Sequence, residues 1–479
     1  MTAAITLHDI LRIEDSTEVL AVRCPDTDIP LWPAIRVAFL RTIIGDLVYG
    51  TPIAQPPSGA ASRARRASAI SRAYLHNAGR MLRMRPCYPI LTMATGARLL
   101  RQDGRYFNCL SDYFIRVEPS RTLAVEEMFD WKWPFPRKHD NTLLHTPLRV
   151  SSALRARPRR PRYLARSQEL VDLLLQRAER LLDWQASEAQ RTWIEAYCVS
   201  SAASLLPRYK AYEKLFRKAG IRLLLKEEAS YGGPDNVAAI SAAKDMGIVT
   251  AEYQHGAIFA GHDAYNMAGA MSASADLCRT LPDHLLTYGE WWGEQTNLPL
   301  RTHAIGSPHR SEIIGGLTRS TPHKSEILVL GDGLKTDFYL SLCAELAAVL
   351  STDYRVVFRP HPLERSKVFS GISGGIADRV KIDSRPDIYS SFASASALVS
   401  ELSTGLFEAI GIVPRIFIWD TPVARFTIPS HSFRGFQSAA ELITLLSSSE
   451  TGKVAEEQKE RVWKTRWQEN YRHFLASVL

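Results

Sequence analysis

From Tyr88 onward, short uninterrupted apolar stretches of strand length alternate with segments in which apolar positions recur every three or four residues. YPILTMATG reads as a strand ending in glycine, and LVDLLLQRAERLL, from Leu170, as an amphipathic helix. The spacing predicts a further helix around AYEKLFRKAG, stopped by Gly220 and followed directly by the strand IRLLLKEE. After a helix through DNVAAISAAKDMG come GIVTAEYQHG, HLLTYGEWWG and THAIGSPH, each an apolar run ending on glycine or a polar residue. Fully apolar strands alternating with helices imply a mostly parallel sheet covered on both faces.

Residues 311–326, SEIIGGLTRSTPHKSE, are polar and turn-rich and read as a linker. Beyond them the alternation restarts with EILVLGDG, a helix through TDFYLSLCAELAAVL, then YRVVFRPHP, VKIDS, SALVSELS, the helix TGLFEAIG and the strand VPRIFIWD. The expected fold is α/β: two tandem Rossmann-like domains, residues 88–310 and 327–450, with a cleft between them. A chain of 479 residues also exceeds what one hydrophobic core organises. Residues 1–87 show little periodicity and include the loop TPIAQPPSGAAS. Residues 451–479 end in an amphipathic helix whose stripe, Trp463, Trp467, Tyr471, Phe474, Leu475 and Val478, needs a partner surface in one domain or the other.

Composition narrows the class. Hydrophobic residues at 46% and charged residues at 23% describe a soluble globular chain. No signal peptide pattern opens it and no apolar run is long enough to span a bilayer, which predicts a cytoplasmic protein. Six scattered cysteines, without a CxxC pair, argue against disulfides and structural zinc. The net charge of +9 is regional: residues 51–166 hold 22 Lys/Arg against 7 Asp/Glu, a local +15. It peaks in SRARRASAISRAYLHNAGRMLRMR, residues 62–85, where Ile70, Tyr74, Met81 and Leu82 recur at helical spacing between arginines. That pattern fits a helix lying on an anionic membrane or polymer, and equally a solvated helix face. No nucleic-acid-binding signature accompanies it, so nucleic acid is not an expected partner.

In wound parallel sheets, ligands bind outside the carboxyl ends of the strands. At those positions the first domain offers Gln254, His255 and Gly256, then Glu290, then Ser307; the second offers Asp332 and Gly333, Arg359 and His361, and Ser403 and Thr404. Gly256 permits a tight turn, and His255 is placed to take a proton near neutral pH, with Asp263 and Glu252 close enough in sequence to orient the ring. Pro360 and Pro362 stiffen the support of His361, which beside Arg359 suits a phosphate oxygen, although a strand-ending turn would carry the same residues. Ser403 or Thr404 caps a helix whose amides, bared by Gly405, form an anion site, with Glu408 one turn on for ribose hydroxyls. Neither a P-loop nor HExxH occurs, and the DxD match Asp26–Asp28 runs straight into a proline at position 30, so no metal site is expected.

QHG at 254–256, R-P-H-P at 359–362 and the Ser403–Thr404 pair, in that order, resemble the bacterial capsule and surface-polysaccharide glycosyltransferases of the two-domain GT-B fold, over roughly residues 205 to 420. The likeness extends to Kdo- and sialic-acid-type transferases and to CDP-glycerol phosphotransferases. It implies a metal-independent, cofactor-free transfer of a sugar from a nucleotide-activated donor to a glycan or lipid-linked acceptor, at the inner face of the membrane. It also implies that His361 and the Ser/Thr pair bind donor phosphate, with Asp332 and Gly333 beside them, and that a first-domain histidine or acid, here His255 with Asp263, deprotonates the acceptor. The acidic motif of the sialyl-type families is missing from the first domain, since the only similar string, GDG, opens the second. A polyol-phosphate transferase, a nucleotide-sugar epimerase on the same fold and a noncatalytic glycan-binding scaffold are the alternatives.

Overall fold

A computed structural model describes residues 5–50, 62–83, 87–317, 326–333, 335–351, 353–362, 364, 380–385, 387–448 and 452–479. Seven parallel strands form the first sheet: β1 (Ile90–Thr95), β4 (Thr122–Glu127), β5 (Thr142–Leu144), β6 (Leu223–Lys226), β7 (Val249–Tyr253), β8 (His284–Thr287) and β9 (Arg301–Ala304), in the order β5-β4-β1-β6-β7-β8-β9. A hairpin of β2 (Leu99–Gln102) and β3 (Arg105–Asn108) stands apart from it. The second sheet, also parallel, contains β10 (Glu326–Leu330), β11 (Arg355–Arg359), β12 (Val380–Ile382), β13 (Ala397–Ser400), β14 (Arg415–Trp419) and β15 (Arg434–Phe436), in the order β12-β11-β10-β13-β14-β15. Counted along the chain, each sheet runs 3-2-1-4-5-6, the doubly wound Rossmann order, with one further strand on the first. The two-domain α/β expectation holds, and the arrangement is that of the GT-B fold.

Every apolar strand read from the sequence is present. The strands without a clear signal were β2 and β3 of the hairpin and β4, β5 and β15; β5 and β15 are three residues each, too short for a pattern. The helices that position the site are α1 (Trp32–Ile44), α2 (Arg63–Arg83), α3 (Glu188–Ala219), α4 (Gly233–Asp245), α5 (Thr336–Val349) and α6 (Trp467–Val478). α1 packs against α3 and α4 inside the first lobe, so the opening residues are part of that lobe's core. The segment shows little periodicity because α1 is buried on nearly every side, from Trp32 through Ile44, and a helix without a solvent face carries no amphipathic stripe. Its Arg36 forms a buried ion pair with Glu14 at 2.6 Å and donates to the Asp263 and Asn266 carbonyls, tying the chain's start to the loop after β7. Residues 311–316 of the expected linker continue the helix Pro308–Gly316; 318–325 lie outside the described residues.

The C-terminal helix finds its partner in the first lobe: Trp467, Tyr471, Phe474 and Leu475 pack with Phe114, Tyr253 and Leu286. The lobes also meet through an aromatic cluster. The ring centre of Phe407 of the second lies 4.8 Å from that of Trp291, 5.0 Å from Trp292 and 5.3 Å from Phe259 of the first, each pair tilted. Arg310, on Pro308–Gly316, donates to the Ile410 carbonyl at 2.5 Å. Gly261 lies so close to the Phe426 carbonyl that no side chain fits there. The two lobes are therefore in close contact along one seam, through Phe407, Arg310 and Gly261.

Candidate functional site

In each sheet the chain leaves the first strand on one side and later returns to the other, which opens a crevice beyond the ends of β1 and β6 and of β10 and β13. After β1, a side chain at Gly96 would strike the Glu127 carbonyl, so glycine lets this turn close over β4. After β6 comes Glu227. One carboxylate oxygen accepts the Thr95 backbone N–H at 2.7 Å, and the other, Oε1, is buried without a hydrogen-bond partner. Arg98 Nε stands 3.7 Å from that oxygen. Burial pushes the Glu227 carboxyl up to about 7 against the opposing pull of the Thr95 bond and the Arg98 charge. A cavity of about 410 Å³ opens here, lined by Thr95, His145, Lys226, Glu227 and Asp235 among others. A second hollow of about 700 Å³ adjoins it at Tyr197, Glu228 and Asn236, walled by Ala34, Val37 and Ala38 of α1 and by Trp193 stacked on Tyr197.

His255 lies two residues beyond β7, its Nε2 3.6 Å from Glu228 Oε1 and 3.4 Å from the Tyr231 hydroxyl, with Nδ1 buried and unpartnered. Burial, helped by Arg98, His262 and Arg41, drives the imidazole down to about 3, so it stays neutral at pH 7. That corrects the expectation of a histidine titrating near neutrality. Asp263 and Glu252 do not orient it. Asp263 pairs with Arg41 at 3.0 Å, and Glu252 accepts from the Ser230 N–H and the Tyr265 hydroxyl. Gln254 is a structural clip, donating to the Gly256 carbonyl and accepting from the Tyr288 N–H, both at 2.7 Å. The chain bends at Gly256 without a left-handed backbone, and nothing lies within 4 Å of where its side chain would be, so this bend does not require glycine. Glu290 points away, exposed and paired with Lys464 at 2.6 Å. Ser307 is buried at the start of Pro308–Gly316, where its carbonyl accepts from the Ser311 hydroxyl.

In the second crevice, Asp332 caps the entry to α5 by accepting the Lys335 N–H at 3.1 Å. Gly333 has a left-handed backbone (φ 82°), and an added Cβ would lie 2.9 Å from His361 Nδ1, so the loops after β10 and β11 interlock at this pair. Glu401, directly after β13, is fully buried; Lys335 Nζ is 3.7 Å from Oε1, and Oε2 has no hydrogen-bond partner. Burial raises its carboxyl above the usual range.

Three expectations for the donor side change. Arg359 is turned inward, donating to Asp383 at 2.8 Å and Ser391 at 2.9 Å, because β12 places that carboxylate beside it; it is a strut of the sheet and not a phosphate ligand. The helix after Ser403 spans only Gly405–Glu408, too short for a strong dipole. Leu330 fills the space beside Gly405 where a ligand was expected, and Thr404 is exposed without a side-chain cap bond. Ser403 does accept the Gly405 N–H at 3.1 Å. Glu408 is bonded to the Tyr389 hydroxyl and has its carboxyl raised by burial, against the charges of Arg310 and Arg98.

Two side chains lie where the lobes approach each other. The charge of Arg98, beside Glu227, pulls the Glu408 carboxyl of the second lobe down, against the burial that raises it. Tyr49, bonded to Thr427 at 2.9 Å, feels Asp263 from one lobe and Glu401 and Asp332 from the other. Among the described residues no group of three or more His, Cys, Asp or Glu side chains converges as a metal site. Asp26, part of the DxD match, is held by Arg159, Arg162 and Tyr163.

No family model matches the chain, and no curated protein matches it in sequence. Solved structures with a similar course of chain include the UDP-GlcNAc 2-epimerase from Methanocaldococcus jannaschii, at 11% identity over 81% of this chain and 99% of that one, with a TM-score of 0.43. The glycotransferase of kitacinnamycin is similar at 12% identity, 82% and 100% coverage and 0.44. A UGT transferase from Siraitia grosvenorii in complex with UDP is similar at 11%, 81% and 99%, and 0.41. The likeness is one of chain trace and assigns no substrate.

Sequence reading did not single out Glu227, Arg98, Lys335 or Arg310. Glu227 was within reach, since it follows the strand LLLK as directly as His255 follows its own strand. Arg98 was not: only its approach to Glu227, far along the chain, distinguishes it from the many arginines nearby.

Proposed function

We propose that this chain is a glycosyltransferase that moves a sugar from a nucleotide-activated donor to a hydroxyl of a glycan or lipid-linked acceptor. The observation that carries the reading is Glu227: a buried carboxylate with one unpartnered oxygen, at the strand crossover, on the wall of a cavity and beside a half-exposed guanidinium. The acceptor lies in the two joined hollows of the first lobe, and the donor at the loops after β10, β11 and β13. Glu227 removes the acceptor hydroxyl proton as that oxygen bonds to the anomeric carbon, and the carbon's bond to the departing phosphate breaks. Arg98 and Lys335 balance the charge on the phosphate, working without a bound metal. His255 stays neutral and positions the acceptor through the Glu228–Tyr231 side of the site. Glu227 thus takes the role first expected of His255.

A nucleotide-sugar epimerase needs no acceptor, and the two hollows in the first lobe favour transfer. The experiment is a thermal-shift screen with CMP, CDP, UDP and GDP, because a ligand that binds only the folded state raises the unfolding temperature by mass action. The stabilising nucleotide's sugar is then incubated with the enzyme alone and with candidate acceptors. Turnover of the sugar without an acceptor, to an isomer, would replace the transferase reading with the epimerase one, and no shift with any nucleotide would remove both.

A further inference from the structure

Helix α2, Arg63–Arg83, holds six arginines and no acidic residue. Its inner side is fixed to the edge of the first sheet. The Asn77 side-chain amide both donates to the Leu144 carbonyl and accepts its N–H, each at 2.8 Å, in place of a neighbouring strand, while His76 bonds the Thr142 carbonyl and Ala69 and Ala73 are buried. The outer side has the opposite character. Leu75 and Leu82, two turns apart on one face, are 74% and 88% exposed, and Tyr74 and Leu154 of the adjoining helix are exposed too. Arg66 and Arg72 lie over Trp131 and Trp133 and Arg80 lines hollows on the sheet side with Tyr88 and His139, which leaves Arg63 and Arg65 in the first turn and Arg83 beside Leu82 as exposed arginines of the helix. Beside this face a groove of about 450 Å³ runs between α2, Thr146–Ala156 and α3, lined by Met81, Leu148 and Leu215 together with Arg155, Lys210 and Lys214. The groove shares Val125 and His145 with the cavity at Glu227.

We propose that this face seats on an anionic lipid bilayer, with Leu75 and Leu82 among the acyl chains and the flanking arginines at the headgroups. Leucines this exposed, on a helix already held rigid by its other side, carry an unfavourable contact with water that only an apolar partner relieves. The exposed arginines at both ends of the helix, on a helix without an acidic residue, select an anionic one. A soluble polyanion would use the arginines and leave the leucines in water.

The test is co-sedimentation of the full chain with vesicles of phosphatidylcholine, with and without phosphatidylglycerol. Binding is expected only with the anionic lipid and weakens with salt. Each reversal among Arg63→Glu, Arg65→Glu and Arg83→Glu is expected to weaken it by about fivefold or more. Leu75→Ser with Leu82→Ser is expected to lower it by about tenfold or more, at unchanged unfolding temperature because both side chains are already in water. Full affinity in the double leucine variant would reduce the contact to charge alone and overturn the proposal, as would failure of the unaltered protein to bind anionic vesicles.

Discussion

Glu227 accepts the Thr95 backbone N–H at 2.7 Å across the crossover of the first sheet, and this bond aims its second oxygen at Arg98. The bond holds the carboxylate in place whatever occupies the cavity, so Glu227→Gln keeps the geometry and removes the base. Turnover is expected to fall by about 10² to 10⁴ with little change in donor affinity. In the unaltered enzyme kcat is expected to rise with pH through about 7, where burial sets this group. A Glu227→Gln enzyme that keeps both its rate and that pH dependence would remove Glu227 from the mechanism.

Stability in acid should depend on the buried histidines. An imidazole in the unfolded chain titrates near its ordinary 6.5, whereas burial holds His255 near 3 and His262 near 4 in the folded protein. Between those values the unfolded state binds the extra protons, so stability is lost as pH falls below about 6.5. His255→Gln is therefore expected to flatten the decline, recovering about 2 kcal/mol of the loss between pH 7 and pH 4.5. Urea unfolding of both proteins at the two pH values measures it.

Phe407 joins the lobes by its contacts with Trp291, Trp292 and Phe259. Phe407→Ala is expected to destabilise the protein by about 3 to 5 kcal/mol and to split its calorimetric transition into two, because the cavity would open at the seam. A single transition at the original temperature would show that the seam is held elsewhere.

Gly333→Ala meets two obstacles, a left-handed backbone and the His361 ring. The first costs about 1 to 2 kcal/mol by itself. The second is removed in a His361→Ala background, so Gly333→Ala should be less damaging there than alone, a coupling that a double-mutant cycle reads directly. Strict additivity would mean that the two loops do not interlock in solution.

Much of the fold was legible. Strands buried on both faces are continuous apolar runs, and IRLLLKEE, EILVLG and RVVF announced β6, β10 and β11 without help from the rest of the chain. The C-terminal stripe announced a helix, and α6 forms it from Trp467 on, whereas Trp463 stands before it, at the end of the helix Glu456–Val462, and donates to the Phe407 carbonyl of the second lobe. The site was half legible. His361, Asp332 and Gly333 do sit together at one crossover because strand-end position is local information. The failures share a cause: Arg359, Gly405 and Asp263 were judged by residue type, while their partners Asp383, Leu330 and Arg41 come from other segments.

The amino-acid order alone marked the apolar strands and the amphipathic helices, though not short strands such as β5 and β15 or the buried α1, since periodicity and turn residues act within a few positions of themselves. Which carboxylate is buried and left with a free oxygen, which arginine is spent inside a sheet, and which lobe the final helix covers were decided only by tertiary packing. Burial and pairing are properties of groups brought together from distant parts of the chain, and the strength of a charge or a base follows from those neighbours and not from the residue's own identity.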